Sequence, residues 1–349
     1  MATRNNIESG APPRVVGRLL AEALGDGRWG DCIVAPVSGG KSNLTYRVSS
    51  DAGQVIVRRP PLGNVLPTAH DVVREYRVMR ALQRTSVPVP RPLHLSTDNP
   101  LGTPFYVMDS VLGHVCRDQL PPGYATSPED RRLIGNDLVD VLAALHELAP
   151  AEVGLGDLGR PAGFMERQLR RWSSQWQATQ SSELPIVDAL AEALGSRIPV
   201  QQAAAVVHGD YRLDNAILHP SYPEVVAILD WEMSTLGDPL ADLGLLLAYW
   251  TEADDDEVLR AARIAAPTTS AEGFPTRRQI LDRYAERSGL VLDDIQWYVA
   301  FSYFKISVIC AGIASRAAAG AMDPQEATGA EALISAGAEA GHHVLHRAF

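Results

Sequence analysis

Lysine is nearly missing from this chain. Of its 31 basic residues only two, Lys41 and Lys305, are lysines, so any chemistry that needs an ammonium group has two places to occur. Cysteine is sparse as well. Cys32, Cys116 and Cys310 are odd in number and scattered, which excludes a disulfide framework and a cysteine metal site of ordinary spacing. A reducing, cytoplasmic setting is the simplest expectation. Long apolar runs are also missing: the stretch Leu243 to Trp250 is too short to span a bilayer, so no membrane is expected. The opening residues MATRNNIESGAPPR have no apolar signal-peptide core. A basic face is not indicated either, since the net charge is −11, which argues against nucleic acid as a partner.

What remains is an ordinary globular composition, 46% hydrophobic and 21% charged, on 349 residues. That length is enough for two lobes, each with its own core. Residues 12–24 read as a short amphipathic helix. From about 31 to 59 the pattern is strand, glycine turn, strand, Asp51-Ala52-Gly53 turn, strand. Pro60-Pro61 ends the last of these. Residues 68–84 read as a helix, with Val72, Val73, Tyr76, Met79, Ala81 and Leu82 at helical spacing. Strand candidates at 93–96 and 104–108 follow. The order β-β-β-α-β-β predicts a small antiparallel sheet with one internal helix. Beyond Gly113 the character turns helical, at 128–148, 163–178 and in several segments of 254–349. Two short apolar strands, 204–207 and 225–229, bracket polar loops. The acidic run Glu252 to Glu257 reads as a solvated helix start.

The glycine turn reads SGGKSN over residues 38–43. Its Gly-Lys-Ser ending is that of a Walker A loop, but Ala35 stands where that motif needs its first glycine. A strand pattern, Leu44 to Val48, follows where a helix should. A glycine turn between two strands can instead lie over phosphates as in kinases.

The stretch Val206 to Asn215, VVHGDYRLDN, carries the most chemistry, together with ILDWE at 228–232. Phosphoryl transfer needs a carboxylate to take the acceptor hydroxyl's proton and hard oxygen ligands for Mg²⁺. Asp210, Asn215 five residues on, and Asp230 after the next strand supply those groups.

These motifs resemble those of the aminoglycoside-phosphotransferase-like kinases. The segments VRRPPLGNVLPTAHDVVREYRVMRAL, LGTPFYVMDSVLG and LDWEMSTLGDPLADL look closest to the kinase-like domain that accompanies certain acyl-CoA dehydrogenases. The resemblance implies an α+β, bilobal protein-kinase-like fold: an N-lobe to residue 108, a hinge at 109–113 and a mainly helical C-lobe over 114–349. It implies Asp210 as catalytic base, with His208 bracing its loop, and Asn215 and Asp230 as Mg²⁺ ligands. ATP would be bound by Ser38, Gly39, Gly40, Lys41 and Ser42, and by Arg58 paired with Glu75. Within Phe105 to Gly113, the backbone around Met108, Asp109 and Val111 would receive the adenine. Asp238 and Asp242 are expected to brace loops. The family's usual strand lysine is replaced, and Arg58, Arg59 and Lys41 all stand as substitutes; arginine keeps the charge but differs in shape and reach.

The acceptor is less legible. A hydroxyacyl-CoA, with an acyl-CoA dehydrogenase as partner for the next step, is what the closest resemblance implies. The wider family implies an aminoglycoside, and a nucleotide-binding pseudokinase is the alternative of another class. The run Glu166 to Trp176 places Trp172 and Trp176 on one face with Arg167 and Arg171 nearby. That pattern fits either a core helix or a surface for a CoA thioester. His342, His343 and His346 fit a helix C-terminus better than a metal site.

Overall fold

Alternating apolar and polar side chains build a five-stranded antiparallel sheet. Its strands are β1 (Ile33–Pro36), β2 (Leu44–Ser50), β3 (Gly53–Arg59), β4 (Pro92–Ser96) and β5 (Phe105–Asp109), in the spatial order β1-β2-β3-β5-β4. The computed structural model describes residues 10–37, 43–61, 71–98, 100–179, 183–321 and 327–347. The expected phosphate-loop residues Ser38, Gly39, Gly40, Lys41 and Ser42 lie outside the described residues.

Two units divide the chain. The first takes the described residues within Met1–Gly113 and also Val226–Ser234; the second takes His114–Val225 and Thr235–Phe349. In the first, helix α1 (Pro13–Leu24) starts on a proline, which suits an N-terminal helical position, and stops at Gly25 in the left-handed region. Its Val16 and Leu20 pack with Trp29, Tyr46, Val48, Val55, Val57, Phe105 and Val107 into one core. The pleat sends alternate residues to the opposite face. There Tyr106 lies near Tyr76 of helix α2 (Val72–Leu82), with ring centroids 6.1 Å apart.

Helix α2 is shorter than its apolar spacing suggests. Asp71 caps it by accepting from the Arg74 N–H at 3.0 Å, so the helix begins at Val72. Its buried face also differs from expectation. Val73 is exposed, whereas Val78 and the charged Glu75 are buried.

The second unit is mainly helical. It comprises α3 (Pro128–Glu147), α4 (Phe164–Thr179), α5 (Pro185–Ser196), α6 (Leu240–Tyr249), α7 (Glu257–Ala261), α8 (Arg277–Ser288), α9 (Ile295–Ala318) and α10 (Ala330–Leu345). Ser127 and Asp130 form a capping box at the start of α3, as Thr276 and Gln279 do for α8. Short strands frame the loops: β6 (His114–Val115) pairs with β8 (Ala216–Leu218), and β7 (Ala205–Val207) pairs with β10 (Thr235–Gly237). Strand β9 (Val225–Ile228) leads the chain back to the first unit.

Helix α9 is the one described helix long and apolar enough to cross a membrane by length and composition, but 72% of its most apolar window is buried inside the protein. It packs closely on α6, where a Cβ at Gly244 would stand 2.6 Å from the Tyr298 carbonyl carbon. The acidic run at 252–257 is only partly a solvated helix start. Asp256 caps α7, but Asp255 is buried and paired with Arg277 at 2.6 Å. The run carries a buried ion pair because α8 presents Arg277 to it.

Candidate active site

In the first unit the functional groups gather on the β3 face turned toward α2. The pleat separates neighbours Arg58 and Arg59 completely. Arg59 is buried on the α1 side, where its guanidinium donates to the carbonyls of Gly10 and Leu101. Arg58 points to the other side, 3.2 Å from Glu75 Oε1, and donates to Asp230 Oδ1 at 2.6 Å. Of the two arginines, Arg58 is therefore the partner of Glu75.

Asp230 follows β9 in the left-handed region, at φ 67°, which aspartate tolerates better than most residues. Its carboxylate is about a third exposed. Glu232, two residues on, lies 3.7 Å from Arg58 and accepts from Asn43 Nδ2 at 3.2 Å. Asn43 closes the SGGKSN segment. Burial works against the Arg58 cation, but Glu75 and Asp230 outweigh it and hold its pKa above the usual arginine value. Burial pushes the Glu75 carboxyl up to about 7, against the pull of Arg58 and with added repulsion from Asp230 and Glu232.

The residues expected to meet adenine lie at and just beyond the end of β5. Met108 is buried, and Asp109 is tied to Arg91 at 2.9 Å; Val111 lies in the segment just beyond.

In the second unit His208, Asp210 and Asn215 share one tightly hydrogen-bonded loop. Strand β7 is fully apolar and buried, and delivers the chain to His208. Asp242, from the first turn of α6, accepts from the His208 N–H at 2.6 Å and the Gly209 N–H at 2.8 Å. His146 Nε2 reaches the same carboxylate at 3.3 Å, and Tyr284 holds His146 Nδ1 at 2.7 Å. Burial tends to raise the Asp242 pKa, but the His146 bond, the nearby histidines and the Gly209 N–H hold it below the ordinary value. Asp238, next to β10, accepts from the Leu240 N–H and the Tyr298 hydroxyl.

The Asp210 N–H donates to His208 Nδ1 at 3.2 Å. Asn215 then locks Asp210 from the other side, with Nδ2 donating to its carbonyl at 2.7 Å and its Oδ2 at 2.9 Å. Arg212 lies 3.6 Å from Asp210 and 3.2 Å from Asp214, with its guanidinium over the Tyr249 ring. Asp210 is thus a partly exposed carboxylate held by backbone and amide hydrogen bonds, able to accept a proton from a hydroxyl. Asn215 Oδ1 in the second unit and the Asp230 carboxylate in the first are each hard oxygen donors of the kind Mg²⁺ prefers.

Several other expectations change. Trp176 is buried and donates to Asp188 Oδ1 at 2.8 Å, and Arg167 folds onto the carbonyls of Arg160 and Ala162. Trp176 therefore belongs to the core, while Arg167 stays on the surface with its guanidinium turned to its own chain. Trp172 differs, because Arg171 and Lys305 both lie against its ring. His342 and His343, expected at a helix C-terminus, contact the Ile186 carbonyl and Asp256 there.

Lys305, Arg212 and Glu232 escape a reading of the motifs. Glu232 stands inside ILDWE, so a signal was present. Lys305 sits in an apolar helix far along the chain, and only the fold brings it to Gly209, whose carbonyl it holds at 2.8 Å.

The profile of the phosphotransferase enzyme family matches residues 33–278. The chain belongs to this family. Acyl-CoA dehydrogenase family member 10 of Mus musculus is 35% identical over 312 residues, covering 88% of this chain and 29% of that protein. Acyl-CoA dehydrogenase family member 11 of Rattus norvegicus is 36% identical over 282 residues, covering 79% and 35% respectively. The chain thus spans about a third of the length of these curated relatives. A solved structure from Ralstonia eutropha, described as a candidate aminoglycoside phosphotransferase, is 33% identical. It covers 95% of this chain and 97% of its own, with a TM-score of 0.80. The phosphotransferase has the α+β protein-kinase-like fold expected for a small-molecule kinase.

Proposed function

We propose that this phosphotransferase moves the γ-phosphoryl group of ATP, with Mg²⁺, onto the hydroxyl of a hydroxyacyl-CoA. The observation that carries the transfer is the hold on Asp210: Asn215 and His208 fix its backbone and one carboxylate oxygen. In the reaction Asp210 takes the acceptor O–H proton as that oxygen bonds to the γ-phosphorus. The bond from phosphorus to the β-phosphate oxygen breaks, and ADP and a phosphate ester leave. Asn215 and Asp230 would hold the metal, whose charge offsets that of the phosphates. Arg58, oriented by Glu75, would bind a phosphate as the family's lysine does. Met108, Asp109 and Val111 would offer the adenine their backbone.

The acyl-CoA acceptor is supported by the relatives, which are named as acyl-CoA dehydrogenases and are 35% and 36% identical to this chain over the matched residues. An acyl-CoA dehydrogenase would then act on the phosphorylated product. The test is ADP release with Mg-ATP against hydroxyacyl-CoAs and aminoglycosides. Turnover on a hydroxyacyl-CoA is expected, and turnover confined to aminoglycosides would overturn that choice of acceptor.

A further inference from the structure

Lys305 is the only lysine among the described residues, and it is placed against the loop that carries Asp210. Its ammonium has three protons and one hydrogen-bond acceptor, the Gly209 carbonyl at 2.8 Å. No carboxylate of the described residues forms an ion pair with it. A second cation shares its surroundings: Nζ of Lys305 and Cζ of Arg171 lie 5.7 and 5.6 Å from the centroid of the Trp172 ring. Trp172 is itself 5% exposed, so the ring is a fixed wall between helix α4 and helix α9. A part-buried ammonium bonded to one neutral carbonyl has donors left for an anionic or polar oxygen.

The surrounding charges define what is lacking. Asp210 and Asp242 attract the ammonium from a distance, while Arg171 and Arg212 repel it. Arg212 is already engaged with Asp210 and Asp214. Arg171 has no such carboxylate; its described contact is the Trp172 ring. Arg171 is thus the cation beside Lys305 that no described carboxylate pairs.

We infer that Lys305, with Arg171 and the Trp172 ring, forms the acceptor subsite, and that it takes an acyl oxygen, a carboxylate or a thioester carbonyl, close to the hydroxyl that Asp210 deprotonates. Gly209 is the residue before Asp210, so an oxygen bound to Lys305 lies within a short carbon chain of the base. A polycationic acceptor meets Lys305 and Arg171 as like charges and binds there less well. This inference rests on the acyl-acceptor reading above and narrows it to one end of the molecule.

Equilibrium binding by calorimetry tests it without requiring turnover. The probes are γ-hydroxybutyrate, γ-hydroxybutyryl-pantetheine and butanediol, which share a carbon chain and differ in the acyl oxygen. The native protein should prefer one or both acyl probes to butanediol, and the preferred one identifies carboxylate or thioester. Lys305→Met should lose that preference by about tenfold or more, as expected for a hydrogen bond to a charged group. Lys305→Arg should keep it, and ATP affinity should not change in either.

Because Lys305 also holds Gly209, Arg171→Gln serves as a second variant that leaves that bond intact and should weaken acyl binding alone. A preference that survives in Lys305→Met and Arg171→Gln overturns the subsite, as does native protein that binds butanediol equally well or binds no probe. An intact preference in native protein that phosphorylates none of the probes would instead overturn the kinase reading of the acceptor.

Discussion

Asp210 and Arg58 show what a single residue contributes here. Asp210 is held by three hydrogen bonds within its loop, so replacing it with asparagine changes charge and basicity with little change in shape. Asp210→Asn should lower kcat by about 10²–10⁴ while ATP affinity, read by calorimetry, stays within twofold (roughly the loss of one positioned base). Arg58 has a structural role as well, since Glu75 is 1% exposed and has Arg58 as its cation. Arg58→Met should cost about 3–5 kcal/mol in denaturant unfolding, the usual result of stranding a buried charge, and Arg58→Lys should cost less. Motif order alone made Asp210, Asn215 and Asp230 legible. It could not separate Arg58 from Arg59, because only the strand pleat decides which of two adjacent side chains faces Glu75.

Elements differ in how openly the sequence declares them. The sheet was readable from alternation and from its turns, because period-two patterns are local. Helix α9 was not assigned a role, because its pattern is apolar on nearly every side and such helices announce burial without naming a partner. Its partner is α6, which meets it at Gly244. Gly244→Ala should destabilise the protein by about 1–3 kcal/mol, since the added methyl meets Tyr298 backbone with no room to move; thermal unfolding measures this. The return of residues 226–234 to the first unit was also hidden, because it depends on contacts with Arg58 and Arg74 far earlier in the chain.

For the molecule as a whole, buried charge links stability to pH. The Glu75 carboxyl is raised from its ordinary 4.5 to about 7, so the folded protein holds this proton more tightly than the unfolded chain does. Its contribution to stability is full below about 4.5 and is lost as pH rises through about 7. The unfolding free energy of the native protein, relative to Glu75→Gln, should therefore fall across that window in parallel denaturant titrations. A flat difference would mean that Arg58 alone keeps Glu75 ionised.

The central claim is transfer of a phosphoryl group to an acyl-bearing alcohol by a loop built around Asp210. Phosphorus-31 NMR of a reaction with Mg-ATP and a γ-hydroxyacyl-CoA tests it most directly. The account predicts a new phosphate monoester resonance growing with ADP, and its absence with Asp210→Asn protein that still binds ATP. Inorganic phosphate alone, or an ester formed equally well by the variant, would contradict it.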